Sequence, residues 1–290
     1  MRSVRTLFLP LLLLLLCACQ PPRPPAAGVS ADEEIVPLSA PITVVTLNLW
    51  HDKQDWPRRQ QVVLDVLREV DPDVVLLQEV LQDQGLPNQA QSLAEALGHR
   101  WQYRFYSNDA EGRARRYGNA ILTRHRIVAI GQQALEPRED YRVAGFARLD
   151  IGGRPLNVYV THLHHEAHGA ALRQRQAEGV MAFVAATREG APSLVGGDFN
   201  TADDALELQS IAGGYDSACA PVPACAAMST LNPHMGHPPR RIDHLFVQRG
   251  AFRVQEARVL FDQPDGEGVW ASDHFGVLAT LRPLAWLPRR

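Results

Sequence analysis

Polar and charged side chains stand at or beside the ends of several apolar segments of this chain. The set comprises Asn48, Glu79, His162, Asp198, Asn200, Asp243, Asp273 and His274. Four carboxylates gathered in one cleft would repel each other strongly, and a hard divalent cation is the natural compensation. Oxygen ligands without cysteine favour Mg²⁺, with Mn²⁺ and Ca²⁺ as alternatives. The set therefore predicts a site of metal-assisted and acid–base chemistry.

The stretch SLVGGDFN at residues 193–200 is the most informative of these segment ends. Its apolar part predicts a strand, and alternation places Asp198 and Asn200 on one face if the strand continues that far. Together they supply acceptors and donors that suit a phosphate or an attacking water. Gly196 and Gly197 lack a Cβ atom, which lets another backbone or a ligand come close. A turn in which Asp198 or Asn200 caps a short helix is the structural alternative.

Two further segments end in a polar group. Residues 42–47 are rich in β-branched side chains, and Asn48 falls in phase with Val44. Residues 73–79 form a continuous apolar run, which is typical of a strand buried on both faces. Glu79 closes this run in phase with Leu77, so it needs a strand end or a cation, because a buried lone carboxylate is costly.

The remaining elements predict an α/β arrangement. Residues 146–151 and 156–162 predict a hairpin that turns at Gly152-Gly153 and ends at His162. Apolar residues at helical spacing predict a helix opened by Pro57, a second one capped by Asn88 and a third that ends near residue 188. Further strands are predicted at residues 101–106, 117–123, 240–247, 252–261 and 274–281.

Composition bounds the class of protein. The chain has 290 residues, of which 46% are hydrophobic and 21% charged, enough for one large α/β domain. Its net charge of -3 gives no global basic field that would attract a polyanion. Lys53 is the only lysine, and an arginine-rich genome explains the predominance of arginine among the other cations.

Three arginines, Arg113, Arg115 and Arg116, precede the predicted strand at residues 117–123. Because arginine presents paired donors to phosphate oxygens, these side chains are candidate substrate-binding groups. A solvated loop is the simpler explanation of the same residues.

The first residues predict a lipoprotein signal. Arg2 and Arg5 precede an apolar run over residues 7–16, which suits a secretory signal and is short for a membrane span. Residues 16–19, LCAC, resemble a bacterial lipobox with Cys19 as the lipidated residue, and an ordinary signal peptide is the alternative. Acylation would anchor the chain to a membrane with ~0.8 kcal/mol per buried methylene.

Residues 20–41 are rich in proline and alanine, which predicts an extended tether rather than part of a core. Gln20 after the lipidated cysteine suggests sorting to the outer membrane of a bacterial cell envelope, facing the periplasm. The chain therefore divides into a signal over residues 1–19, a tether over residues 20–41 and a folded domain over residues 42–284, which we expect to be a monomer.

Cysteine and histidine positions do not predict a zinc site. Cys219 and Cys225 are the only cysteines beyond the signal, and in an oxidising compartment they could close a small disulfide loop. His162 and His164 could chelate a transition metal together. No cysteine or second compact histidine pair supports such a site.

Seven short motifs follow one another along the chain. They are Thr46-Leu-Asn-Leu49, Leu76-Leu-Gln-Glu79, Tyr117-Gly-Asn-Ala-Ile-Leu122, Thr161-His-Leu163, Gly197-Asp-Phe-Asn200, Arg241-Ile-Asp-His-Leu-Phe246 and Ser272-Asp-His-Phe-Gly276. This ordered set resembles the endonuclease/exonuclease/phosphatase superfamily, the deoxyribonuclease I-like proteins, over residues 42–282. Each motif is weak alone, and their order makes the signal specific. The resemblance implies a four-layered α/β sandwich, with two mixed β-sheets packed face to face and helices outside.

The resemblance also implies roles around a metal ion. Glu79 would be the principal Mg²⁺ ligand, with Asn48 beside it and Asp273 near the metal. Asp198 and Asn200 would position the nucleophilic water and the phosphate. These assignments agree with the oxygen-rich set from which the metal was inferred.

Further roles follow from the same resemblance. His274, oriented by Asp243, would contact the scissile phosphate or transfer a proton, and His162 would stabilise the phosphate oxygens. A carboxylate that holds an imidazole fixes its tautomer and favours its charged form. Asn119, within the third motif, is a further candidate for substrate binding.

The implied activity is that of a divalent-metal-dependent phosphoester hydrolase, and we expect a phosphodiesterase of nuclease type that acts outside the cytoplasm. The arginines and the aromatics Trp50, Tyr103 and Tyr117 suit nucleic acid, whereas the negative net charge does not. A sphingomyelinase-like lipid headgroup phosphodiesterase and an inositol-phosphate phosphatase are the alternatives, because the fold does not choose among them. A non-catalytic binding module is more remote, since His274 and Asp198 are both present.

Overall fold

The computed structural model describes residues 40–284. Its strands are β1 (Ile42–Asn48), β2 (Val74–Gln82), β3 (Gln102–Tyr106), β4 (Arg116–Thr123), β5 (Arg126–Ala134), β6 (Val143–Ile151), β7 (Arg154–His162), β8 (Ser193–Asp198), β9 (Tyr215–Ser217), β10 (Asp243–Gln248), β11 (Phe252–Leu260) and β12 (Gly276–Pro283). Its helices are α1 (Trp56–Val70), α2 (Gln89–Leu97), α3 (Ala170–Thr187), α4 (Gln209–Ala212) and α5 (Pro223–Ala226).

The strands form two six-stranded sheets, with the orders β11-β12-β1-β2-β4-β3 and β5-β6-β7-β8-β10-β9. One buried apolar cluster lies between the sheets and takes side chains from both, including Val44 and Val158. A second packs α1 and α2 on the outer face of the first sheet, and a third packs α3 on the outer face of the second. The four-layered α/β sandwich predicted from the sequence is confirmed.

Each sheet has one parallel pair near its centre, β1 with β2 in the first sheet and β7 with β8 in the second. The other strand pairs are antiparallel, so both sheets are mixed. Parallel strands present their carboxyl ends at the same edge of a sheet. Asn48, His162 and Asp198 are the last residues of β1, β7 and β8, so the sheets carry these polar groups at their strand ends.

Local signals in the sequence act as expected at several boundaries. The Asn88 side chain accepts hydrogen bonds from the first backbone N–H groups of α2, and Pro57 lies in the first turn of α1. The hairpin of β6 and β7 turns at Gly152 and Gly153.

Two strands begin later than predicted. Strand β10 begins at Asp243, three residues late, and β12 begins at Gly276, two residues late, so His274 lies before β12 rather than in it.

The predicted signal, the lipidation site Cys19 and nearly all of the predicted tether lie outside the described residues. Within residues 40–284, the helices are too short or too polar to cross a bilayer. Cys219 and Cys225 are joined by a disulfide that closes the loop around α5.

Gly196 and Gly197 serve the packing of the second sheet. A Cβ atom on Gly197 would lie 1.9 Å from the backbone oxygen of Thr161 in β7, and the φ angle of Gly197 is +148°. A Cβ atom on Gly196 would lie 2.5 Å from Leu76 Cδ1 of the facing sheet. The sequence suggested that either another backbone or a ligand approaches these two glycines. The structure shows that the backbone of β7 and the side chain of Leu76 do so.

We expect Gly197→Ala to lower the free energy of unfolding by about 2 kcal/mol or more, because the added methyl group meets the backbone of a central strand. Gly214→Ala is the matched control, since its Cβ would meet no heavy atom within 4 Å. Urea denaturation of both variants measures the difference. Equal unfolding midpoints would contradict this explanation of Gly197.

Candidate active site

Three polar side chains of the second sheet lie side by side at the ends of three neighbouring strands. His162 of β7 pairs in register with Asp198 of β8, and Asp198 pairs in register with Asp243 of β10. All three are buried. Since Val158 and Leu194 belong to the core between the sheets, the alternation of β7 and β8 turns His162 and Asp198 toward the first sheet.

The first sheet supplies Asn48 and Glu79 in different ways. Asn48 follows the alternation of β1, in phase with Val44 of the core between the sheets. Glu79 does not follow the alternation of β2, because the pairing with β4 shifts register between Leu77 and Val80. This irregularity gives Glu79 a positive φ angle of 55° and turns its carboxylate into the cleft, as β-bulges at functional sites commonly do.

Asn200 reaches the cleft through a turn. Strand β8 ends at Asp198, and Asn200 adopts a left-handed backbone with φ 55°. Its backbone N–H donates to Asp198 Oδ1 at 2.9 Å, and its side-chain amide donates to the Leu163 carbonyl at 3.1 Å. The strand therefore does not continue to Asn200, and the turn that the sequence left open as the alternative is what the structure shows, although both residues line the same cleft.

The Asn48 side chain joins the two sheets. Its Nδ2 donates to Glu79 Oε1 at 3.3 Å and to Asp198 Oδ2 at 3.0 Å. Its Oδ1 accepts a hydrogen bond from the Trp50 backbone N–H at 2.9 Å, which fixes the orientation of the amide. Two carboxylates from different sheets therefore converge on one amide nitrogen.

His274 and Asp243 form a buried imidazole–carboxylate pair. The His274 Nδ1 to Asp243 Oδ2 distance is 2.9 Å, and His274 Nε2 lies 4.0 Å from Asp198 Oδ2. Burial alone would lower the pKa of His274, but the charge and hydrogen bond of Asp243, with the charges of Asp198 and Asp273, raise it to about 10. The imidazole is therefore cationic at neutral pH, with Nδ1–H bound to Asp243 and Nε2–H facing Asp198.

Asp198 and His162 are shifted by their surroundings toward their neutral forms. Burial, together with the negative charge of Asp243, raises the pKa of Asp198 to about 7. Burial, together with the positive charges of Arg142 and His274, lowers the pKa of His162 well below its ordinary value. His162 Nε2 lies 3.4 Å from Asp198 Oδ2, so a neutral imidazole stands beside the central carboxylate.

The donor set fits a hard cation. Ligand atoms of Asp198, Asp243 and His274 lie within 4.8 Å of one another and could hold a metal ion. Because the His274 imidazole is cationic and held by Asp243, the carboxylate of Glu79 is better suited to the ion, and Asn48 would have to turn its Oδ1 toward the cleft to join it. Asp273, the third predicted ligand, pairs through Oδ2 with His237 Nε2 at 3.1 Å.

These groups open into a cleft with a volume of about 620 Å³. Its walls carry three arginines, Arg115, Arg142 and Arg240, and their charge outweighs that of Glu79 and Asp198. The lining residues are His51, Glu79, Arg115, Tyr117, Arg142, His162, His165, Asp198, Asn200, Leu231, His237, Arg240, Ile242 and His274.

Of the substrate-binding candidates named from the sequence, Arg115 lines the cleft. Its guanidinium also pairs with Asp83 at 2.6 Å. Arg113 is exposed, and Arg116 lies over the Phe105 ring at 5.1 Å. Asn119 is buried and donates to the Val143 carbonyl at 2.9 Å, which ties the two sheets together. Sequence reasoning missed Arg142, His51 and His237, which lie on irregular segments without a periodic pattern.

Arg59 holds together two segments that carry the site. Its guanidinium is buried and donates to five backbone carbonyls, those of Leu49, Trp50, His51, Lys53 and Ala271. Burial lowers its pKa to about 10, so it stays charged at neutral pH. One side chain of α1 therefore fixes the loop after Asn48 to the segment before Asp273.

We expect Arg59→Leu to lower the free energy of unfolding by about 3 kcal/mol, because buried carbonyls lose their donors. Arg58→Leu is the matched control: its ion pair with Glu267 is largely exposed, and such pairs contribute about 0–1 kcal/mol. Urea denaturation of both variants separates the two cases. Equal destabilisation would contradict the role given to Arg59.

Known proteins share this fold and sequence pattern. The model of the Endonuclease/Exonuclease/phosphatase family matches residues 45–274. Protein angel of Drosophila melanogaster is 28% identical over 186 residues, which cover 60% of this chain and 52% of that protein. The chain thus matches about half the length of this curated relative.

Solved structures agree with this fold. The human Nocturnin catalytic domain with bound sulfate anion has a TM-score of 0.69 at 22% identity, covering 86% of this chain and 96% of that chain. D. rerio TDP2 complexed with single strand DNA product has a TM-score of 0.69 at 18% identity, covering 83% and 99%. With the family match over most of its length, the chain belongs to the endonuclease/exonuclease/phosphatase family.

Proposed function

We propose that this protein is a divalent-metal-dependent phosphodiesterase of nuclease type that acts outside the cytoplasm. Enzymes of this superfamily hydrolyse phosphoester bonds. The observation that carries the proposal is the convergence of Glu79, Asn48 and Asp198 with the Asp243–His274 pair at the base of one arginine-lined cleft.

In this proposal the chain's own groups activate water and stabilise the phosphate. Asp198 accepts the proton of the attacking water, and Asn200 helps to place that water. As the water oxygen bonds to phosphorus, charge grows on the phosphate oxygens and the bond to the leaving oxygen breaks. The leaving oxygen takes up a proton from solvent in the open cleft, and Asp198 later returns its proton to solvent. The Nε2–H of His274 faces Asp198 and donates to one of these oxygens, and His162 stabilises another.

The metal has a place in the same site. Glu79 would hold it through its carboxylate, with Asn48 beside it once its Oδ1 turns toward the ion and with Asp273 nearby, and the ion would neutralise charge on the phosphate and lower the pKa of a bound water. Mg²⁺ is the proposed ion, with Mn²⁺ and Ca²⁺ as alternatives, because the donors are oxygens.

The walls of the cleft favour a nucleic-acid substrate. Arg115, Arg142 and Arg240 offer positive charge beyond the catalytic groups, and Tyr117 offers an aromatic ring. A cationic choline headgroup would meet the same arginines unfavourably, which makes sphingomyelin a poorer fit. TDP2, which shares the fold, has been crystallised with a single-strand DNA product.

We also propose that Cys19 is acylated and that residues 20–41 tether the domain to the periplasmic face of the outer membrane. This part of the proposal rests on the lipobox-like sequence and the proline-rich segment alone. Mass spectrometry of the protein purified from membranes tests it, since acylation adds a defined mass to the peptide that begins at Cys19. An unmodified mature N-terminus at another residue would contradict it.

The activity is tested with a panel of substrates and Mg²⁺. Plasmid DNA, RNA, sphingomyelin, inositol phosphates and a chromogenic phosphodiester are offered side by side to the full chain, with His274→Ala as the blank. Cleavage of DNA or RNA that is absent from the blank is the expected result. Headgroup release with nucleic acid left intact would transfer the assignment to a lipid phosphodiesterase, and hydrolysis of none would support a binding module.

A further inference from the structure

Arg142 holds a nearly buried positive charge on the cleft wall that the proposed mechanism does not use. Only 11% of its side chain is exposed, yet it lines the cleft. It lies close enough to His162 to act on the ionisation of that imidazole. A buried guanidinium is costly unless it has anionic partners, so its contacts indicate what it is there to bind.

Asp140 is the anionic partner of Arg142 in the part of the chain that the structure describes, and it leaves hydrogen-bond donors of the guanidinium unpaired. The Arg142 Nε lies 3.6 Å from Asp140 Oδ2, beyond hydrogen-bonding distance, and makes no hydrogen bond within residues 40–284. Asp140 is already bound by His164 Nδ1 at 2.9 Å and by Gln176 Nε2 at 2.6 Å. The carboxylate therefore holds the segment before β6 against α3 and leaves donors of Arg142 available.

A second group stands beside the guanidinium. Arg142 Nη2 lies 3.2 Å from His165 Nδ1, and His165 lines the same cleft from the segment that follows β7. An imidazole and a guanidinium within hydrogen-bonding distance of each other can both donate to a third group that carries negative charge. Both residues are distinct from those that contact Asp198.

We propose that Arg142 and His165 form a second anion-binding subsite, which takes a phosphate of the substrate adjacent to the one that is cleaved. The proposal rests on the proposed phosphodiesterase function and narrows its substrate to molecules with two neighbouring phosphates. A nucleic-acid strand carries a neighbouring phosphate on each nucleotide, and an inositol phosphorylated at two adjacent ring positions carries one such pair. A substrate with one phosphate and a cationic headgroup does not.

Binding at equilibrium tests the subsite without requiring turnover. Calorimetry in buffer with EDTA gives Kd for thymidine 5′-monophosphate against thymidine 3′,5′-bisphosphate, and for inositol 4-phosphate against inositol 4,5-bisphosphate. Because charge-assisted hydrogen bonds to phosphate are strong, we expect the wild-type protein to bind one bisphosphate at least ~10-fold more tightly than its monophosphate. The pair with the larger gain identifies the source of the second phosphate.

Two variants test whether Arg142 provides the tighter binding of the bisphosphate. In Arg142→Gln we expect the bisphosphate advantage to fall to about 2-fold or less. Arg138→Gln is the matched control, because Arg138 is an exposed arginine on the same segment and is absent from the cleft lining. It should keep the wild-type ratio.

Two results would overturn the subsite: equal affinities for mono- and bisphosphates in the wild-type protein, or an unchanged advantage in Arg142→Gln. Neither depends on catalysis. Hydrolysis of DNA in the substrate panel together with either result would leave the phosphodiesterase assignment standing and remove the subsite alone.

Discussion

His274→Ala is expected to lower kcat by at least ~10²-fold while the fold stays intact. The variant removes the cationic imidazole that Asp243 holds at 2.9 Å and leaves Asp198 without the positive charge that faces it. Stabilisation of charge on the phosphate oxygens is commonly the largest catalytic effect, so the loss falls on kcat. Steady-state kinetics on the best substrate of the panel measure it, and circular dichroism checks the fold.

A second imidazole–carboxylate pair provides the control. His125 Nε2 lies 2.8 Å from Asp73 Oδ1, and neither residue lines the cleft. His125→Ala removes a similar pair from another part of the fold and is expected to leave kcat unchanged. A folded His274→Ala variant with nearly normal turnover, or an equal loss in both variants, would contradict the role assigned to His274.

Glu79→Gln is expected to lower kcat/KM by at least ~10²-fold at millimolar Mg²⁺ and to raise the Mg²⁺ concentration that gives half-maximal activity. The physical reason is the loss of the carboxylate charge while the shape of the side chain is kept. Chelation of divalent ions with EDTA should abolish turnover by the wild-type protein, and added Mg²⁺ should restore it.

Activity measured across a Mg²⁺ titration distinguishes this role from a structural one. Glu267→Gln is the control, because Glu267 is exposed and does not line the cleft. Full activity in EDTA, or a Glu79→Gln variant with the wild-type Mg²⁺ response, would show that Glu79 does not bind the catalytic ion.

Alternation along the strands predicted much of the site from the sequence. Asn48, His162 and Asp198 each end a strand in phase with core residues, and the structure brings them together where the two sheets face each other. This part was predictable because a strand has a period of two residues and its buried face is visible in the sequence. Their catalytic roles remain predictions, as do the domain boundaries.

Local departures from regular backbone were not predictable in the same way. The alternation of β2 puts Glu79 with Leu77 on the helix side of the sheet, and the register shift next to it reverses that direction. The left-handed backbone at Asn200 similarly ends the phase of β8. Such features depend on how a strand pairs with its neighbour, which the strand's own sequence does not contain.

Strand β5 and two of the three cleft arginines, Arg142 and Arg240, were missed for a different reason. Along β5 the apolar side chains of Val128 and Ile130 lie on the exposed face, so the usual apolar–polar alternation is hidden. Arg142 lies on an irregular segment and enters the cleft only because the second sheet packs on the first. Tertiary packing therefore decides which arginines meet the substrate.

The central claim is tested most directly by cleavage of a 5′-labelled single-stranded oligonucleotide. The full chain and its His274→Ala variant are incubated with the oligonucleotide in the presence of Mg²⁺ and, separately, of EDTA. We predict that shortened products accumulate only with the wild-type protein and only with Mg²⁺. An intact oligonucleotide in every sample, or equal cleavage by the variant, would contradict the assignment of this cleft as a metal-dependent phosphodiesterase site of nuclease type.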